Sequence, residues 1–528
     1  MNKSLIIKAA ITFTVFAALC FSAFAEKLVI LHTNDTHSQV DPTSKGLGGI
    51  IQRKAIMDSV RRAEKNVITV DAGDAVQGTL YFNYFRGDVE YPLMNMAGYD
   101  IRILGNHEFD NGMADLAVRY KNVEGTPLSA NYDFTGTELE GVFRPYVIKE
   151  IDGKKIGFFG INIDPTSIIS EKNINVKFKD IIPTSNETAA YLKNNENCDV
   201  VVAVTHIGYE KSNEKTTDVE LAENSKDIDI IIGGHSHTLI DPSNPEKFPS
   251  LINNSEGKPV RVVQLGKQGL YLGKLSLDLD KFPDGNGGDV DYELITVADR
   301  FPEESLDKEM LAFIQPYKEK VDSIYNVVIA QSAYDMTNSR TGGMANMTAD
   351  FGLHYANQIA DSLRNAGINI PRVDLAVMNV GGIRHSMPKG NITEGQILST
   401  YPFSNRFVII SLNGSDIYEA MKVAAAKGGE AVSENVRIVT DWNGNIVRMI
   451  VDGEEIDPSK KYLVGTIDYV AEGNDDMVTF ANHEKVWIDS VEVSIPIMKW
   501  VKKQTELGLE VNPDPRSRFV VESTLVSH

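Results

Sequence analysis

Five short clusters in this sequence gather side chains able to hold divalent metal ions. They read Asn34-Asp35-Thr36-His37, Gly73-Asp74, Gly105-Asn106-His107-Glu108, Thr205-His206 and Gly233-Gly234-His235-Ser236-His237, and they contain five of the ten histidines. Imidazole, carboxylate and an amide carbonyl, with no thiolate among them, suit zinc, manganese, iron, cobalt or nickel. One carboxylate can bridge two such ions, and the pair then polarises a phosphoryl oxygen and lowers the pKa of bound water. Each cluster alone is weak, because a D-x-H or a G-D is a common turn. The ordered set is specific, and the small residues beside the imidazoles let the backbone approach an ion.

The clusters follow runs that read as strands. Short β-branched runs bounded by Gly, Asn and Asp occur at Lys27–Thr33, Asn66–Asp71, Ile101–Leu104, Lys155–Ile161, Asp199–Thr205 and Asp227–Ile232. Between the first two, Ile50, Ile51, Ala55, Met57 and Val60 form one apolar face, predicting a helix over 47–65. Such alternation implies a layered α/β core, and an open α/β sheet places its ligands beyond its strand ends. Pro283–Gly288 is a turn cluster. Leu306, Met310, Phe313, Ile314, Tyr317, Val321 and Ile324 then recur at helical spacing, in a stretch that Pro316 should break or kink. We read it as a linker helix over 301–325. Beyond it the pattern restarts, with helices near 346–366, 415–427 and 491–505 and strands at Leu375–Asn379, Phe407–Leu412, 436–451 and 462–467.

Composition narrows the partners. A chain of 528 residues is long enough for two to four domains. Its formal charge of −21 argues against wrapping nucleic acid or coating a membrane surface. Two cysteines exclude a disulfide scaffold and any Cys-rich metal site. Residues 1–25 read as a cleaved secretory signal: Lys3 and Lys8, an apolar run from Ala9, and Ala23-Phe24-Ala25 before Glu26. Lipidation at Cys20 is the weaker alternative, since bulky Leu19 precedes it. We therefore expect an exported, periplasmic protein. No later run of 18 apolar residues is long enough to span a membrane. Removing the leader leaves the chain more acidic and keeps only Cys198.

The metal clusters resemble those of the calcineurin-like metallophosphoesterases, and more closely the bacterial 5′-nucleotidase/UDP-sugar hydrolase group, over nearly all of the mature chain. The resemblance implies an α/β fold: an N-terminal four-layer αββα sandwich over 26–300 and, over 326–528, a C-terminal α/β substrate domain. It implies two divalent ions, Zn, Mn, Co or Fe. Asp35, His37, Asp74 and His237 match the ligands of one ion, and Asp74, Asn106, His206 and His235 those of the other, with Asp74 as the bridge. His107 resembles the catalytic histidine, not a ligand, and Asp110 its partner, which fixes the tautomer and favours the charged ring.

The second half carries the matching substrate pieces. Asn379-Val380-Gly381-Gly382-Ile383-Arg384 resembles the family's N-G-G-G-I-R run, where the arginine holds phosphate and the asparagine lies near the base; a guanidinium offers paired donors to phosphate. Tyr401-Pro402-Phe403-Ser404-Asn405 resembles the element whose Phe stacks on a base, and Tyr469 falls where the second stacking ring stands. Two departures stand out. Gly473-Asn474-Asp475-Asp476-Met477 keeps Asp475 as a ribose acceptor but adds an acid and replaces an aromatic by Met477. Arg340 is a candidate for a further phosphate contact.

The activity implied is release of phosphate from a nucleoside 5′-phosphate, a hydroxide generated at the metal pair attacking phosphorus in line while His107 serves the leaving oxygen. UDP-sugars and 2′,3′-cyclic nucleotides are the alternative substrates, thiosulfohydrolysis is a more distant one, and a non-catalytic nucleotide-binding surface protein is the alternative of another class. The partner expected is a small nucleotide, with no nucleic acid. The family also implies closure of the two halves, with 303–324 as the hinge region.

Overall fold

The computed structural model describes residues 27–522 except 44, 166–175, 211–215, 283–285, 299–300 and 404. The segment expected to be a secretory leader, with Cys20, and the first part of the Pro283–Gly288 turn lie outside the described residues.

Two six-stranded sheets form the N-terminal half. In one, Lys27–Thr33 lies between the parallel Val67–Asp71 and the antiparallel Tyr271–Asp278, with Ile101–Arg102, Thr126–Pro127 and Val290–Thr296 completing the order. In the other, Lys154–Asn162, Val200–His206, Ile230–Ile232 and Pro259–Val263 run parallel, flanked by the antiparallel Tyr146–Ile151 and Leu251–Asn253.

Strand alternation explains the stacking. Leu28, Ile30, Ile68 and Val70 point inward and pack against Phe158, Val202, Val204 and Ile232 of the facing sheet. Their neighbours Val29 and Leu31 point outward, onto Ile50, Ile51 and Met57 of the helix Ile50–Ala63 and onto Leu93 and Met94 of Glu90–Ala97. Val201 and Ala203 point outward from the second sheet, onto Ala189 and Leu192 of Ile181–Asn194. Strands buried on both faces lose the polar–apolar alternation, which is why they read as continuous apolar runs. The result is helix, sheet, sheet, helix: the four-layer αββα sandwich. A C-terminal α/β unit follows. Its five-stranded sheet orders Ala431–Val432, Leu375–Met378, Lys461–Ile467, Arg406–Asn413 and Glu484–Glu492, and the helices Gly343–Asn365, Gly414–Ala426 and Ser494–Glu506 contribute to the same core.

Between the halves, Lys308–Tyr325 is one helix that runs through Pro316 without interruption. Proline there removes one N–H. Burial of Met310, Ile314 and Val321 in the outer layer of the N-terminal half outweighs that loss. Asp307 Oδ1 caps the helix by accepting the amides of Glu309 and Met310, both at 3.0 Å. Lys54 pairs with Asp307 at 3.1 Å, and Lys318 with Asp41 at 3.1 Å. The segment expected to act as a hinge is thus tied to the first half over much of its length, while its end at Tyr325 packs against Gly395 of the second. The described helices include none long and apolar enough to cross a membrane.

Candidate active site at the meeting of the two halves

All five metal-competent clusters converge at the carboxyl ends of the inner strands. Asp35 and His37 leave the strand Lys27–Thr33, Asp74 follows Val67–Asp71, Asn106 and His107 follow Ile101–Arg102, His206 ends Val200–His206, and His235 and His237 follow Ile230–Ile232. The turns are unusual. Asp35, His37, Asp74, His235 and His237 have φ of 48, 47, 54, 82 and 56°, the left-handed region that side chains other than glycine rarely adopt. Such residues persist only where surroundings impose them, and they gather at functional sites. Here the imposing contacts are visible: Asp35 N donates to Gly73 O at 2.9 Å, His37 N to Asp74 O at 3.0 Å, and His235 N to Asp35 Oδ2 at 3.0 Å. Gly105 is needed for close approach, because a Cβ there would collide with Asp74 Oδ1 and come within 2.7 Å of His206 Nε2.

The ligand-type atoms form two neighbouring groups. Asp35, His37 and His237 make one and Asp74, His206 and His235 the other, each with its atoms within 4.8 Å of one another. Asp74 also groups with His37 and His107, so it faces both sides. His37 Nε2 and His237 Nε2 stand 2.8 Å apart. Asn106 Oδ1 lies 3.3 Å from His206 Nε2 and 2.8 Å from His235 Nδ1. His206 is fully buried and directs Nδ1 at Ala72 O, 2.7 Å away, so Nε2 is turned toward Asp74 Oδ2 at 3.2 Å. A metal-ligating histidine is commonly oriented in this way by its other nitrogen.

The electrostatics fit cations. Burial pushes the Asp35 carboxyl up to about 7. Burial also opposes ionisation of Asp74, yet the charges of His206 and His107 hold its carboxyl well below the usual range. Against its own burial, His206 is pushed up to about 10 by Asp74. Protons held between buried imidazoles and carboxylates are what a divalent ion displaces on binding. This nitrogen and oxygen set, without thiolate, fits divalent metal ions.

His107 stands at the edge of the groups. Its Nδ1 is 2.9 Å from Asp110 Oδ2, and against burial Asp110 and Asp74 raise the ring to about 9. Phe403 of the C-terminal half lies 5.8 Å from the His107 ring, and the Arg384 guanidinium carbon lies 4.8 Å from the Phe403 centroid. A cleft of about 400 Å³ runs between the halves. Asn106, His107 and Asp110 line one wall, and Asn379, Arg384, Phe403, Tyr469 and Asp475 the other. Asp475 Oδ1 accepts the Tyr469 hydroxyl at 3.1 Å, and its Oδ2 accepts the Asn379 amide.

Arg340 is the exception. It is absent from the cleft wall, and its Nη1 donates to Gly429 O at 3.3 Å and lies 3.5 Å from the buried Glu430. The structure thus places Arg340 on the Gly429–Glu430 turn, apart from the other candidate substrate residues. The added acid Asp476 is also outside the cleft, paired with Lys427 at 2.7 Å.

Sequence reasoning missed two contributors. Phe82, Asn83 and Arg86 line the cleft from around the helix Leu80–Phe85, which carries no motif. Glu108 lay within a quoted cluster but had no role. It is buried and accepts the amides of Gly105 at 2.6 Å, Ala75 at 2.8 Å and Asp74 at 3.1 Å, tying two metal loops together. Glu108→Ala strands three amides and should cost about 3 kcal/mol or more. The expected reading is a lower urea midpoint at unchanged slope, partly recovered in Glu108→Gln; an unchanged midpoint would remove Glu108 from this role.

The calcineurin-like phosphoesterase family model matches residues 28–239, and the 5′-nucleotidase C-terminal domain matches residues 328–482. A 5′-nucleotidase of Vibrio parahaemolyticus is 29% identical over 532 residues, covering 92% of each chain. A trifunctional nucleotide phosphoesterase of Bacillus subtilis is 27% identical over 541 residues, which are 93% of this chain and 35% of that protein; the chain spans about a third of that relative's length. The crystal structure of a 5′-nucleotidase precursor from Thermus thermophilus matches with a TM-score of 0.76 at 29% identity, covering 94% of this chain and 99% of that one. With both domains matched in order over well over half its length, the chain belongs to the calcineurin-like phosphoesterases with a 5′-nucleotidase C-terminal domain, and is a metal-dependent phosphoester hydrolase.

Proposed function

We propose that this chain is an exported 5′-nucleotidase, releasing phosphate from nucleoside 5′-monophosphates at a site that holds two divalent ions. One observation carries the reading: the cleft sets the metal-competent groups and His107 of one half directly against Arg384, Phe403 and Tyr469 of the other. Asp35, His37, His237 and Asp74 would hold one ion, and Asp74, Asn106, His206 and His235 the second. When bound, such ions polarise phosphoryl oxygens and activate water.

The chain's own groups do the rest. Arg384 takes phosphate oxygens through paired N–H donors. With Nδ1 on Asp110, His107 presents Nε2 to the leaving 5′-oxygen and gives it a proton or a hydrogen bond. Phe403 and Tyr469 offer faces to the base, and Asp475 accepts from ribose hydroxyls. The apolar run and Ala-x-Ala pattern of residues 1–25 support export to the periplasm.

Phosphate release from AMP, UMP, UDP-glucose and 2′,3′-cyclic AMP tests the reading. AMP and UMP should be turned over fastest, activity should vanish with chelator, and a divalent metal should restore it. UDP-glucose or the cyclic nucleotide as the preferred substrate would replace 5′-nucleotidase by the other phosphoester activities, and the trifunctional Bacillus relative favours including them. Nucleotide binding without turnover at any metal would indicate a binding protein.

A further inference from the structure

The ribose side of the cleft is held from behind by a lysine that no motif singles out. Asp475 and Asp476 are consecutive left-handed residues, with φ of 56 and 61°. Aspartate tolerates that conformation better than most side chains, and neighbouring groups hold these two in it. Lys427 does so twice: its Nζ donates to Asp475 O at 3.0 Å and pairs with Asp476 Oδ2 at 2.7 Å. It stands at the end of the helix Gly414–Ala426, and the chain turns beyond it through Gly428 and Gly429, at φ 87 and 124°. Next comes buried Glu430, whose Oε1 accepts the Val380 amide at 2.7 Å and so fixes the Asn379–Arg384 loop. One turn thus supports both loops of the substrate wall, Lys427 holding the Asp475 loop and Glu430 the loop that bears Arg384.

We propose that Lys427 is a positioning residue for nucleoside recognition, acting through Asp475, and that Asp476 is its counter-ion. The ion pair explains how this chain carries an extra acid beside the substrate: the charge is neutralised on the far side of the loop. Asp475 then keeps its oxygens aligned with Tyr469 and Asn379, ready for ribose hydroxyls.

This inference rests on the nucleotidase reading, and the test separates the two. Lys427→Met is compared with the unaltered protein on AMP and on p-nitrophenyl phosphate, which has neither ribose nor base. The KM for AMP should rise about tenfold, the equivalent of one lost charge-assisted hydrogen bond, with kcat within about twofold. Kinetics on p-nitrophenyl phosphate should not change, and Lys427→Arg should recover most of the AMP affinity. An equal loss on both substrates, or an unchanged KM for AMP, overturns the role of Lys427. Unaltered protein that hydrolyses p-nitrophenyl phosphate but not AMP overturns the nucleotidase reading instead.

Discussion

Asp74→Ala is expected to strip the site of bound metal and to lower turnover by more than about 10³-fold. Asp74 reaches both groups of nitrogen ligands, since it clusters with His206 and His235 on one side and with His37 and His107 on the other. Its Oδ1 also accepts the His107 amide at 2.9 Å, so the substitution loosens the loop that carries Asn106. The backbone should survive: Glu108 still holds the Asp74 amide, and the left-handed turn remains tied to its neighbours. Elemental analysis of purified protein supplies a readout independent of activity. A metal-to-protein ratio that stays at two in Asp74→Ala would sink the bridging assignment.

His107→Ala should behave differently. Turnover is expected to fall by about 10²–10⁴-fold, the usual worth of a positioned acid, while the metal content stays unchanged. A nucleoside 5′-oxygen is a poor leaving group, so losing the donor that serves it should lower kcat and kcat/KM together. Asp110→Asn should have a smaller effect, because the amide can still hold Nδ1 without favouring the charged ring. The two alanine substitutions therefore form a matched pair, one removing metal and activity and the other activity alone. Loss of metal from His107→Ala in parallel with activity would show that it is a ligand.

Much of this was legible because strand ends write themselves into sequence. A buried parallel strand is an unbroken apolar run, and the residue types that terminate it are those that turn and coordinate; the loops bearing Asp35, Asp74, Asn106, His206 and His235 were all visible for that reason. Boundaries were less so. The third run reads as a strand to Leu104, but the ladder ends at Arg102, where the chain begins turning toward the site, with Ile103 N still bonded to Asp71 O at 3.2 Å. The first helix starts at Ile50 and not at 47 because Gly48 and Gly49 have positive φ.

The failures concern relationships between distant residues. Arg340 has the right chemistry for phosphate, but nothing near it in sequence tells that Glu430 lies 3.5 Å from it. Asp476 looks like added charge at the substrate until Lys427 is seen beside it. Pro316 predicts a break or a kink by its local chemistry alone; the helix is not broken there, and the packing of Met310, Ile314 and Val321 that carries it through belongs to the tertiary structure. The short helix Leu80–Phe85, next to the cleft, has too few turns to show a periodicity.

The origin of the ligands has a mechanical meaning. Asp35, Asp74 and Asn106 come from loops of one sheet, and His206, His235 and His237 from a strand end and a loop of the other. Ions held by both sets would rivet the two halves of the sandwich at one end, as a disulfide fastens many exported proteins. Cys198, buried and unpaired, offers no such fastening. The bonds that do the chemistry would then also set the protein's resistance to unfolding, so that the availability of metal would govern how long the enzyme lasts as well as how fast it works.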